Sequence, residues 1–544
     1  MSGKVYFVGV DVGSGSVRAA LVNNKGHVVN QAVREIQTWK PEVNFYQQSS
    51  NDIWESCLNV MKEVITNVEP SSIKGIGFDA TCSLVALDKN RNPISVNYTN
   101  NHEQNIIMWM DHRAQSEAEF INGTKHDILK YVGGKVSLEM EMPKLLWLKK
   151  HLIHTWSEYG YFFDLPDFLT WKATGSFTRS LCSLVCKWNY ECSTDGQQGW
   201  NLSFLKEIGL EDLAENNFEK IGNKVLMPGE KCGGLKKDIA EILGLLPDTP
   251  VAASIIDAHA GGLGMIGTDG QDIDKNMSTR LGLICGTSTC HMAVNSDAIL
   301  VQGIWGPYFS AMVPGMWLNE AGQSASGMLL DYIISSHSAG IDLLKTMSTG
   351  NIRSHLRSLL SAMANAAGVS DINFLTRDIH IWPDFHGNRS PLADPTMRGM
   401  VSGLSIDSSE INLALIYLAA LQALSYGTRH IIDALVTAGY KPFKSLLICG
   451  GLAKDPLFIQ IQADAVNLPL LKPHEKDSVL VGAAILGACA SQYFNNVQDA
   501  ILNMGGSADV IQPNENLKSY HDKKYKVFLK MFQDQIQYKS IMSD

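Results

Sequence analysis

VGVDVGSGSVRAALV, residues 8–22, is the stretch on which the fold turns. An apolar, β-rich run ends in a Gly-Ser turn, VRAALV is apolar again, and NNKGH turns the chain once more before VVNQAV. A GxG after a strand also opens dinucleotide-binding folds, but there a helix must follow the glycines. Here the next segment is short and β-branched, so the spacing predicts a hairpin. The pattern returns as LGLICGTSTCHMAVN, residues 281–295, with Gly9 matching Gly282, Gly13 matching Gly286, Ser14 matching Thr287 and Ser16 matching Thr289. Two such hairpins, each opening one half of the chain, point to an internal duplication.

The halves are joined by IGTDGQDIDKNMSTR, polar and rich in turn formers. The expected domains are therefore residues 1–268 and 280–500, followed by a helical tail over 501–544. In the second half, Asp407 and Glu410 have the spacing of a capping box ahead of the apolar run Ile411–Leu424. Asn412 and Gln422 interrupt that run, which reads as a buried core helix and not a membrane span. In the tail, Phe528, Phe532 and Ile536 share one face of a basic amphipathic helix, expected to pack on the body.

The length, 544 residues, calls for more than one core. A formal net charge of −10 argues against a nucleic-acid or anionic-membrane partner. The ten cysteines include no CxxC pair, and Cys182, Cys186 and Cys192 lack a zinc-like spacing. Reduced, buried thiols in a cytoplasmic protein are the simpler expectation, consistent with an N-terminus that carries no apolar leader.

Several residues can carry chemistry. Turns of small residues at Gly13–Ser14 and Gly286–Thr287 let backbone N–H groups approach phosphate oxygens, and each alone could also be a plain hairpin turn. Asp11, where the second hairpin has Ile284, offers an oxygen for Mg²⁺ beside those phosphates. Arg18 could meet a phosphate or a neighbouring carboxylate. In VAASIIDAHAGGLG an apolar strand ends at Asp257, either a base aimed into a cleft or the N-cap of the next helix; His259 beside it reads as packing or support. SLLICGGLAKDP reads as strand, Gly450–Gly451 turn, and a helix capped by Asp455. That glycine pair is a surface for a flat ring or an ordinary turn.

Taken in order, VGVDVGSGSVRAAL, GFDATCS, MWMDHRA, MPKLLWLKK, IIDAHAGGLG, CGTSTCHM, GNRSPLADPTMRGMVSGL and LLICGGLAKDP resemble the FGGY family of carbohydrate kinases over about residues 5–490. The resemblance implies an α/β fold of two ribonuclease-H-like domains, of the actin-like ATPase superfamily, flanking a catalytic cleft where ATP and a sugar meet. It implies Asp257 as general base and Asp11 serving Mg²⁺. It further implies Gly13, Ser14, Arg18, Gly286 and Thr287 at the phosphates, and Gly450 and Gly451 at the adenosine. CSLVCKWNY and NEAGQSASG resemble the ribulokinase branch, which implies Lys187 and Glu320 as ketopentose contacts, with the Ala80–Thr81 backbone as another. Lys454 departs from the small or amide residue of many relatives. The activity expected is ATP-dependent phosphorylation of a ketopentose, D-ribulose first, with L-ribulose or D-xylulose as alternatives. A non-catalytic sugar sensor and a chaperone-like ATPase are the rivals on the same fold. Beyond the sugar and ATP, only a homodimer is left open as a partner.

Overall fold

The computed structural model describes residues 4–195 and 197–543. Strand Tyr6–Val12 pairs antiparallel with Ser16–Asn23, and that strand pairs antiparallel with Val28–Glu35, so the chain opens as the expected meander. No helix follows the Gly-Ser turn. On its other edge Tyr6–Val12 pairs parallel with Ile73–Ala80, which is joined in turn by Pro250–Ala252 and, antiparallel at the edge, Lys231–Gly234.

The second half repeats this order and these directions. Arg280–Cys285 pairs antiparallel with Thr289–Asn295, which pairs antiparallel with Trp317–Gln323. Arg280–Cys285 also pairs parallel with Ser445–Cys449, followed by parallel Leu470–Pro473 and antiparallel Ala508–Ile511. One further strand, Trp305–Phe309, extends the edge beyond Trp317–Gln323. The duplication inferred from fifteen residues thus extends across both seven-stranded sheets. The two turns differ by one residue. Gly13 N–H donates to Ser16 O at 3.0 Å, whereas Gly286 N–H donates to Ser288 O at 2.8 Å.

Two helices join the sheets. Asp257–Ile266 leaves the first sheet and packs beside Arg280–Cys285 of the second; Ser478–Ala490 leaves the second and lies on Tyr6–Val12 and Ile73–Ala80 of the first. They approach so closely that side chains are excluded. A Cβ on Gly9 would lie 2.2 Å from Leu480 O, one on Gly77 1.9 Å from Ala483 O, and one on Gly482 2.0 Å from Ala260 O. The apolar core therefore runs unbroken from one half into the other.

The helix Glu410–Ala438 is long and apolar enough to cross a membrane by length and composition, yet 78% of its apolar window is buried in the fold. Its cap differs from the expected box. Ser409 is the N-cap and accepts from Asn412 N–H, because the helix begins at Glu410 and so puts Asp407 outside it. Asp407 instead accepts from Ser409 N–H, and Glu410 pairs with His355. The tail helix Lys518–Met542 packs on the second half through Phe528, whose ring lies 4.5 Å from that of Trp382, while Ile536 stays half exposed.

Candidate active site

The strand Ile255–Ile256 runs parallel to Ile73–Ala80, with Ile255 opposite Asp79 and Ile256 opposite Ala80. Asp257 follows at once as the first residue of its helix, so it ends the strand but is not the N-cap: that position is Ile256, no side chain caps the helix, and Asp257 Oδ1 accepts only from its neighbour Ala258 N–H at 2.7 Å. Asp257 is half-buried. Burial, with Asp11 next in effect, pushes its pKa up to about 7. That is a value suited to taking a proton near neutral pH.

Asp11 lies in register with Asp79 on the neighbouring strand, so the two side chains share a face of the sheet. Arg18 does not stand free for a phosphate. Its Nε donates to Asp11 Oδ2 at 2.7 Å and its Nη1 to Asp477 Oδ1 at 3.1 Å, tying the first hairpin to the head of the Ser478–Ala490 helix. Asp79 is fully buried with neither carboxylate oxygen partnered, and burial with Asp11 beside it raises its pKa well above the usual range. Hard carboxylate oxygens, two of them without a partner, are a donor set that suits Mg²⁺. Asp79 sits in GFDATCS, but sequence reasoning passed over it because nothing local shows which face of a buried strand looks into a cleft.

The two glycine turns leave open space beside their backbone. Neither Gly13 nor Gly286 has a left-handed φ, and a Cβ on either would come no nearer than 3.7 Å to another atom. The fold itself does not demand glycine there; what glycine leaves is room for a ligand. Among the described residues the N–H groups of Ser14 and Gly15, and of Thr287 and Ser288, have no backbone acceptor. The Ser14 hydroxyl accepts from Trp109 Nε1 at 2.8 Å, which fixes the first turn. Gly450 is different. Its φ is +92° and a Cβ would lie 2.5 Å from Cys285 O, so glycine is needed to bring this turn against the second hairpin. Gly450 and Gly451 are both exposed, and Asp455 caps the next helix by accepting from Leu457 and Phe458 N–H as expected.

Lys187 and Glu320 are not surface groups. They are 2% and 3% exposed, with Nζ 3.5 Å from Oε1. Lys187 closes the short helix Leu181–Lys187, and Glu320 lies on strand Trp317–Gln323 in the other half. Burial opposes both charges. For Lys187 burial is outweighed by Glu320, Cys82, Glu139 and Cys186 together, so its pKa is raised; for Glu320 burial is outweighed by Lys187, His259 and Arg389 together, so its pKa is lowered. Lys187 Nζ also stands 4.2 Å from the ring centre of Trp305. Arg389, 5.6 Å from the same ring, pairs with Glu139 at 2.7 Å. Among the described residues three Lys or Arg ion pairs join the two halves: Arg18–Asp477, Lys187–Glu320 and Arg389–Glu139. Thr81 N–H donates to Val12 O at 2.9 Å, which sets the Ala80–Thr81 backbone beside the first turn.

The N-terminal domain of the FGGY carbohydrate kinases matches residues 6–264, and the C-terminal domain matches residues 281–491. The chain belongs to the FGGY family of carbohydrate kinases. It is 51% identical to an FGGY carbohydrate kinase domain-containing protein of Homo sapiens, over 99% of this chain and 98% of that one. It is 38% identical to a D-ribulokinase of Saccharomyces cerevisiae, over 91% of this chain and 73% of that one. Its fold is that of the FGGY kinases of known structure, two actin-like, ribonuclease-H-like α/β units. A xylulose kinase from Rhodospirillum rubrum superposes with a TM-score of 0.78 at 18% identity, covering 98% of this chain and 99% of that one. As an FGGY chain it is a sugar kinase, and the family's phosphoryl donor is ATP.

Proposed function

We propose that this kinase transfers the γ-phosphoryl group of ATP to the terminal hydroxyl of a ketopentose, D-ribulose giving D-ribulose 5-phosphate. The observation that carries the reading is the buried Lys187–Glu320 pair, near enough to Asp257 for both charges to act on its carboxyl. Two charges held out of water at a cost of several kcal/mol each are hard to explain as packing. They suit a polyhydroxylated ketone, the ammonium donating to a carbonyl or hydroxyl oxygen and the carboxylate accepting from hydroxyls. The likeness to the yeast D-ribulokinase supports the choice of sugar.

In this reading residues 1–268 supply Asp257, Lys187 and the Ala80–Thr81 backbone, and residues 280–500 supply Glu320, the second phosphate turn and the Gly450–Gly451 surface. Lys187 and Glu320 orient the sugar. Asp257 accepts the proton of the terminal hydroxyl as its oxygen attacks in line. The free N–H groups of Ser14, Gly15, Thr287 and Ser288 hold phosphate oxygens, and Arg18 acts one step back by positioning Asp11 and Asp477. Asp11 and Asp79 would hold Mg²⁺, which when bound offsets phosphate charge. Closure of the cleft keeps water from the attacking position.

The test is ADP release with MgATP against D-ribulose, L-ribulose, D-xylulose, ribitol and glycerol. D-ribulose should give the highest kcat/KM. A higher value for another sugar overturns the choice of substrate, and ATP turnover indifferent to every sugar overturns the kinase reading.

A further inference from the structure

Beneath the Lys187–Glu320 pair lies a cluster that phosphoryl transfer does not use. The helix Leu181–Lys187 carries Cys182 and Cys186 one turn apart. Their thiols and one ring nitrogen of His259, from the Asp257–Ile266 helix, lie within 4.8 Å of one another, the one such group of three among the described residues. Cys186 Sγ is 3.5 Å from His259 Nε2, and the same nitrogen is 3.5 Å from Glu320 Oε2. Cys182, Cys186 and His259 have no exposed surface and Glu320 has 3%. Glu320 Oε2 is buried with no hydrogen-bond partner, so an acceptor faces the cluster unsatisfied.

The spacing is that of a coordination shell. With Zn–S about 2.3 Å and Zn–N about 2.0–2.1 Å, a sulfur and a nitrogen at a tetrahedral angle lie about 3.5 Å apart, the separation seen between Cys186 and His259. The charges also close. Two thiolates, one carboxylate and a dication sum to −1, and the Lys187 ammonium, 3.5 Å from Glu320, cancels it.

We propose that Cys182, Cys186 and His259, with Glu320 as fourth ligand, form a binding site for zinc(II). Each ion bound releases the two thiol protons to solvent. Because Glu320 comes from the opposite half of the chain, the ion bridges the cleft and enters when it opens. A bound ion takes Glu320 away from the sugar, so zinc inhibits the kinase in competition with sugar; this consequence, unlike the binding itself, rests on the proposed role of Glu320.

The full chain, stripped with chelator and free of nucleotide and sugar, is titrated with Zn²⁺ against a chromophoric chelator. One equivalent should bind, at least 100-fold more weakly in Cys182→Ser/Cys186→Ser, while zinc-free turnover of that variant stays within about threefold of the parent. X-ray absorption at the zinc edge of the loaded parent should find two sulfurs at about 2.3 Å. This also decides the matter if the double variant does not fold. Equal affinity in a folded double variant, or a shell of nitrogen and oxygen alone, overturns the site. Zinc bound through both sulfurs without any rise in sugar KM leaves the site standing and overturns the sugar role of Glu320. Absent zinc binding with a normal sugar profile overturns the site and leaves that role intact.

Discussion

Replacing Asp257 by Asn separates proton transfer from the local contact its carboxyl makes. The amide keeps the shape and can still accept from Ala258 N–H, as the carboxylate does at 2.7 Å, but it cannot take a proton. As general base its loss should lower kcat by about 10²–10⁴-fold with ATP affinity kept. The raised pKa adds a second, opposite signature. The carboxyl is shifted from the ordinary 3.8 to about 7, so the folded chain holds a proton that the unfolded chain gives up. Asp257 therefore costs nothing below about pH 4, costs more as pH rises through that window, and costs most above pH 7, at most about 4 kcal/mol. Asp257→Asn removes the cost, so it should melt higher than the parent at pH 8 and alike at pH 4. In the parent, kcat should rise about tenfold from pH 6 to pH 8 as the base ionises. The assay is ADP release at saturating D-ribulose and MgATP, beside thermal melts at both pH values. Turnover within about threefold of the parent would refute the assignment, and an unchanged melting temperature at pH 8 would refute the burial argument.

Gly286→Val should leave the melting temperature nearly unchanged, since the nearest atom to a new Cβ is 3.7 Å away, but should weaken ATP binding by at least tenfold in calorimetry; unchanged affinity would remove the turn from the phosphate site. Lys187→Ala should raise the sugar KM about tenfold or more, for the loss of one charge-assisted hydrogen bond of about 1.5–3 kcal/mol, with the ATP KM little moved. Because it strands the buried Glu320, it should also lower the melting temperature, and Lys187→Ala/Glu320→Ala should recover part of that loss. Phe528→Ala, which empties the contact with Trp382, should cost about 3–5 kcal/mol in a denaturant melt; a loss under 1 kcal/mol would mean that the tail is not part of the body.

Much of the site can be read along the chain because its glycines and carboxylates sit where strands end. Gly13–Ser14, Gly286–Thr287, Gly450–Gly451 and Asp257 each follow an apolar run, and a strand end is a local feature. Burial is not local. Lys187 in CSLVCKWNY has the look of a surface residue until strand Trp317–Gln323 brings Glu320 against it from the other half. Arg18 lies opposite Asp11 in the first hairpin and pairs with it there, but its second carboxylate, Asp477, lies hundreds of residues on and is brought to it only by the fold. Asp407 and Glu410 have capping-box spacing, but the start of the helix is decided by Ser409, one residue before it.

By itself the sequence determined the duplicated hairpins, the turn chemistry at each strand end and the family, since these depend on residue type and spacing over a dozen residues or fewer. Only the tertiary structure decided which charges lose their water. Asp79 meets Asp11 because their strands pair in the first sheet, and Glu320 reaches Cys186 and His259 because the Asp257–Ile266 and Ser478–Ala490 helices pack through glycines and draw the two halves together. Desolvation depends on every neighbour within several ångströms. No stretch of chain carries that information until the neighbours are in place.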